Sequence, residues 1–237
     1  MESVKVYLQL LYWLVLIAAC ALIFNESYFI SSILRDALMP VLIAYLMVSL
    51  KPTHSARLKI FFFLSLVFLW ASDILNGFIN PDYYDPNVKD PYLYGSLACY
   101  GVANIFYLLS YYRIRKVSPN KAVVASVTLL LGIILTYFLF FKFISAGIIK
   151  GNKPPFILFM ATLILVASFA ANITDSNSKK KLSFSYFLPA AIVSVFATVL
   201  YVFNKYGIRE HRIEAVVLLM YGYAQMLNIN GFRKTSK

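Results

Sequence analysis

Apolar and polar residues in this chain fall into long blocks. Eight apolar runs, at roughly 6–24, 37–53, 60–79, 92–112, 122–146, 154–173, 183–203 and 213–231, each approach the about 20 residues that cross a bilayer as a helix. The second run has the least sharp start, because Phe29 to Leu34 is also apolar. Short polar connectors divide them: Lys51-Pro52-Thr53-His54, Asn80-Pro81-Asp82, Arg113 to Lys121, Lys150 to Pro155, Asp175 to Lys181, and Lys205 to Arg212. Inside hydrocarbon the backbone must satisfy its own hydrogen bonds, so runs of this kind are helical. The pattern predicts an all-α fold, a polytopic membrane bundle of eight transmembrane helices, with residues 1–237 forming a single transmembrane domain.

Within the runs, polar residues recur at helical spacing. Asp73, in Phe68-Leu-Trp-Ala-Ser-Asp-Ile-Leu-Asn-Gly-Phe78, is the one acid well inside a predicted span. It lies ~20 Å from the start of its run at 1.5 Å per residue. An intramembrane acid is expensive to insert and marks a candidate functional site, here one suited to hold and donate a proton. Tyr100, Asn104 and Tyr107 share one face of the fourth run. Tyr221 and Gln225 share a face of the eighth, with Asn228 nearby, and Ser194, Thr198 and Tyr201 form a stripe on the seventh. Such faces are expected to converge on one cavity, although any single member serves equally well as contact between helices. Lys142 sits near a run end, where it can snorkel, and is not read as a Schiff-base lysine.

Composition agrees with a membrane protein. Hydrophobic residues make up 61% of the chain and charged residues 14%, against about 45–50% and about 25% in soluble domains. That excludes a soluble domain, a disordered chain and a fibrous repeat. The net charge of +12 does not indicate nucleic-acid binding, since Lys and Arg lie mostly in connectors or near the C-terminus. With eight spans, 14 of the 22 basic residues fall on the side of the termini: Lys5, Lys51, Arg57, Lys59, Arg113, Arg115, Lys116, Lys121, Lys179, Lys180, Lys181, Arg233, Lys234 and Lys237. Basic loops stay inside, so both termini are expected in the cytoplasm. Cys20 and Cys99 lie in apolar runs and form no disulfide framework or metal motif. Ile17-Ala-Ala-Cys20 faintly resembles a lipoprotein cleavage box, but apolar residues continue to Phe24 and favour a first transmembrane helix. Asp82, Asp85 and Asp90 in the third connector read as a solvated, proline-stiffened loop, since their spacing does not suit calcium.

The order of these residues resembles the lysoplasmalogenase-like (YhhN) family of eight-helix membrane proteins. The matches are Pro40, Ser72-Asp73 33 residues beyond Pro40 at its end, Tyr100 with Tyr107, Asn204-Lys205-Tyr206, and Tyr221-Gly222-Tyr223-Ala224-Gln225. Three positions depart from the family pattern: Met39 replaces a Lys, Asn104 a His, and Thr198 a second Asp. The resemblance implies hydrolysis of the vinyl-ether bond of lysoplasmalogens, or a related single-chain lipid, to a fatty aldehyde and a glycerophospho-base. Asp73 would be the catalytic acid, and Tyr100, Asn104, Tyr107, Thr198, Tyr221 and Gln225 would support it or bind substrate. The implied partner is a membrane lipid or lysolipid, with no cofactor, no metal and no nucleic acid. Two other readings stand beside it: a catalytically inactive protein of the same fold that binds or handles lipid, and a small-solute transporter. Compact connectors and the lack of a sorting tail point to a bacterial plasma membrane.

Overall fold

The computed structural model describes residues 2–51, 54–79, 90–114, 161, 164–166, 170, 182–204 and 210–235. The predicted span at 122–146, most of that at 154–173, Lys142, Asp82, Asp85 and Lys205-Tyr206 lie outside the described residues. All regular structure among the described residues is helical. The helices are α1 (Glu2–Phe24), α2 (Tyr28–Ser49), α3 (Ala56–Gly77), α4 (Pro91–Ile114), α5 (Leu188–Phe203) and α6 (His211–Arg233). A π-helical turn, Ser183–Phe187, leads into α5. It stands directly before Pro189, whose ring cannot share a tight α-turn with the carbonyl four residues back.

Five of the described helices are long and apolar enough to cross a membrane: Glu2–Phe24, Phe29–Ser49, Ala56–Gly77, Pro91–Ile114 and Ser183–Tyr201. Large apolar side chains face outward, with Leu14 at 66%, Phe196 at 62% and Phe29 at 79% exposure. This is the reverse of a water-soluble surface and identifies an integral, multi-pass membrane protein. α6 matches the others in length, but Gln225 and Asn228 lower its hydropathy while being buried inside the bundle.

The second predicted span requires correction. It begins at Tyr28, not at residue 37, and ends at Ser49, not at residue 53. Arg35 and Asp36, which the sequence reading left outside the span, therefore sit in its first half. Asp73 is thus not alone among acids within the spans. Helix α2 also carries Pro40 in its interior, so the carbonyl of Asp36 loses its usual helical donor. The indole Nε1 of Trp70, on α3, donates to that carbonyl at 3.0 Å. The proline interruption is thereby satisfied across the helix pair.

Other contacts between helices are equally specific. The hydroxyl of Ser72 donates to the carbonyl of Ser96 at 2.9 Å, and that of Ser96 to the carbonyl of Ser72 at 3.1 Å, joining α3 to α4. Tyr12 donates to the carbonyl of Gly222 at 2.8 Å. A Cβ at Gly222 would lie 2.7 Å from a Leu16 methyl, so glycine permits this close approach of α1 and α6. Asp90 caps α4, its Oδ1 accepting from the amides of Tyr92 at 2.8 Å and Leu93 at 3.3 Å, with Pro91 opening the helix.

The end of the bundle where α1 starts is closed by stacked aromatics. Phe232 stacks on Phe62 with centroids 4.3 Å apart and on His54 at 4.8 Å, while Tyr111 meets Phe187 at 5.1 Å. The opposite end gathers the ends of α1 and α3 and the starts of α2, α4 and α6, and there the packing opens.

Candidate functional site

Asp73 lies one turn before the end of α3 at Gly77. Its Oδ2 accepts a hydrogen bond from the hydroxyl of Tyr221, on α6, at 3.1 Å. The carboxylate faces a cavity of about 120 Å³. Polar groups from several helices share its wall, among them Asp73 and Asn76 from α3, Tyr100 from α4, Thr198 and Tyr201 from α5, and Tyr221 from α6. Apolar groups complete it, among them Ile23, Leu93, Leu97, Ala197, Val217 and Leu218. Tyr201 donates to Oδ1 of Asn76 at 2.8 Å, which ties α5 to the end of α3. The rings of Tyr100 and Tyr221 are 6.0 Å apart.

A second, inner cavity of about 20 Å³ adjoins the first. Tyr100, Thr198 and Tyr221 line both spaces. Asn104, Tyr107, Ser194, Gln225 and Asn228 line the inner one. Tyr107 donates to Oε1 of Gln225 at 2.6 Å, and Tyr111 to Oδ1 of Asn228 at 2.7 Å. These bonds hold the amides of α6 against α4. Phenol and amide pairs of this kind are strong where water is excluded.

All seven candidate residues from the sequence reading therefore line one of two adjoining spaces. Asp73 belongs to the outer cavity, Asn104, Tyr107 and Gln225 to the inner, and Tyr100, Thr198 and Tyr221 to both. Of the three departures from the family pattern, Met39 is fully buried in the apolar core, while Asn104 and Thr198 face the inner space.

Sequence reasoning missed Arg35 and Glu214, which line the outer cavity from α2 and α6. Arg35 Nη1 is 4.0 Å from Oε1 of Glu214, and its Nε is 3.8 Å from Oδ1 of Asp36. Extending the second apolar run back through Phe29 would have brought Arg35 into a span and exposed it as an intramembrane cation. Glu214 stands at the edge of the eighth run, where the sequence reading gave it no role.

A model described as the YhhN family matches residues 30–232. No curated protein and no solved structure gives a match.

Proposed function

The chain belongs to the YhhN family, and from that premise we propose that it is a lysoplasmalogenase-like hydrolase. Its substrate is a lysoplasmalogen or a related single-chain ether lipid, held with its ether end in the outer cavity. The observation that carries the reading is the carboxyl of Asp73, hydrogen-bonded by Tyr221 and facing a mainly apolar cavity among membrane-spanning helices.

The chemistry requires one proton donor and one water. Asp73 transfers its proton to the vinyl carbon distal to the ether oxygen, and the proximal carbon becomes an oxocarbenium ion. General acid catalysis of this type contributes typically about 10²–10⁴-fold. Water then adds to the oxocarbenium carbon and gives its proton back to the Asp73 carboxylate. The resulting hemiacetal collapses to a fatty aldehyde and the free glycerol hydroxyl. The inner cavity supports the second step. Its about 20 Å³ suits a single water, which needs at least roughly 10–15 Å³ and two to four polar partners. Thr198, Asn104 and Gln225 can orient that water, and Tyr221 and Thr198 stand where the two spaces meet.

The full architecture belongs to the same proposal. The chain leaves α4 and re-enters at Ser183 at the same end of the bundle, where Tyr111 meets Phe187. An even number of crossings between them fits eight spans in all. With both termini in the cytoplasm, by the excess of basic residues on that side, the site lies in the outer half of a bacterial plasma membrane.

Thr198 favours a second reading. A threonine where the family pattern places a carboxylate weakens activation of water, as in a relative that has kept the cavity and binds lipid without cleaving it. Fatty-aldehyde release from a lysoplasmalogen by the purified protein decides between them. Release by the wild type and none by a folded Asp73→Asn variant is expected. A folded, lipid-binding wild type that releases no aldehyde would refute the hydrolase and leave the binder.

A further inference from the structure

In the wall of the outer cavity the Arg35 side chain is only 20% exposed. Its Nε is fully buried, yet it has no hydrogen-bond partner among the described residues. Asp36 Oδ1 stands 3.8 Å from it, too far to bond, and Glu214 approaches only Nη1 of the same guanidinium, at 4.0 Å. A buried guanidinium donor without an acceptor is unfavourable, and its planar fork suits the paired oxygens of a phosphate. Arg35 reaches the end of α3, where a Cβ built on Gly77 would lie 3.5 Å from its Nη2.

We infer that Arg35 and Glu214 form a subsite for a zwitterionic phospholipid head group, Arg35 taking the phosphodiester and Glu214 the ammonium. The inference takes its single-chain lipid from the function proposed above. Charge balance selects the zwitterion. A bare phosphate would place additional negative charge beside Asp36 and Glu214, whereas a zwitterion exchanges partners with the Arg35–Glu214 pair and leaves the net charge unchanged. The reach is also suitable. Gly77 lies four residues beyond Asp73, a rise of ~6 Å at 1.5 Å per residue. In a glycerol lipid the phosphorus and the ether oxygen at the far glycerol carbon are five bonds apart, ~6 Å at the advance per bond of an extended chain. A phosphate on Arg35 therefore sets the ether at the depth of Asp73.

Binding of lipids that cannot be cleaved tests the subsite separately from catalysis. The probes are a saturated 1-O-alkyl lysophosphatidylethanolamine, the matching alkyl lysophosphatidic acid, and the alkylglycerol without phosphate, each titrated into purified protein in non-ionic detergent. The wild type is expected to bind the ethanolamine lipid most tightly. Arg35→Gln should weaken it by roughly 10- to 100-fold while binding alkylglycerol as the wild type does, and Arg35→Lys should lose less, keeping the charge but not the fork. Glu214→Gln should weaken the ethanolamine lipid and tighten the lysophosphatidic acid, a change of sign that misfolding cannot produce. Equal losses for all three probes in Arg35→Gln, or no loss, would overturn the subsite. Inorganic phosphate alone should fail to displace the ethanolamine lipid, and displacement at millimolar concentration would assign the site to free phosphate instead. Should the wild type discriminate among the probes yet release no aldehyde from lysoplasmalogen, the hydrolase reading falls and the head-group subsite stands.

Discussion

Pro40 and Trp70 form a pair whose coupling can be measured. Proline removes the amide that would bond the carbonyl of Asp36, and the Trp70 indole supplies a donor at 3.0 Å in its place. Trp70→Phe removes that donor and leaves the carbonyl without it, at about 1–3 kcal/mol, with a further loss from the smaller ring. In a Pro40→Ala background the alanine amide can bond the same carbonyl, and only the packing loss remains. The coupling energy should therefore be about 1–2 kcal/mol, close to the net worth of one hydrogen bond. For a chain of this size each kcal/mol moves the melting temperature by about 2–4 °C. Thermal unfolding of the wild type, both single variants and the double variant in one detergent provides the cycle. Trp70→Phe should also relax head-group discrimination, since the half of α2 before Pro40 carries Arg35. An equal loss of melting temperature from Trp70→Phe in both backgrounds would refute the argument and reduce Trp70 to a packing residue.

Four further outcomes are expected. Thr198→Asp, which places a carboxylate where the family pattern has one, should raise the rate of aldehyde release by as much as about 10²-fold, the lower range for a positioned base; no rise in a folded variant would count against water activation at that position. Tyr221→Phe removes the hydroxyl 3.1 Å from Asp73 and should lower kcat about tenfold with little change in KM, as steady-state kinetics would show. Gly222→Ala sets a methyl 2.7 Å from Leu16 and 2.9 Å from the Tyr12 hydroxyl; overpacking of this kind costs about 1–3 kcal/mol, and thermal unfolding should show it. Asp90→Ala removes the cap of α4 and should destabilise by about 0.5–2 kcal/mol, with Asp90→Asn restoring most of the loss.

Much of the architecture was legible because bilayer physics leaves few alternatives. A run of about 20 apolar residues has one stable conformation in hydrocarbon, so α1, α3, α4 and α5 fall close to their predicted positions. The same logic failed at α2. Arg35 and Asp36 interrupt the apolar pattern and read as a boundary, but in the folded protein Arg35 approaches both Asp36 and Glu214 and lines the outer cavity. α6 shows the converse. Its polar residues make it poorly hydropathic, yet Gln225 and Asn228 are buried against Tyr107 and Tyr111. Single-helix hydropathy cannot distinguish a polar residue facing lipid from one facing a partner helix.

The sequence by itself determined the helical class, the membrane setting, the place of Asp73 within a helix, and the shared faces of Tyr100 with Asn104 and of Tyr221 with Gln225. These depend on local chemistry and the 3.6-residue repeat, which act within one segment. Only the tertiary structure decided which faces meet: that Tyr221 bonds Asp73 across 148 positions of sequence, that Trp70 repairs the break at Pro40, and that Arg35 and Glu214 come together in the wall of one cavity. Those contacts depend on the rotation of each helix about its axis and on where glycine and serine let backbones approach. Both are set by the packing of all the helices together.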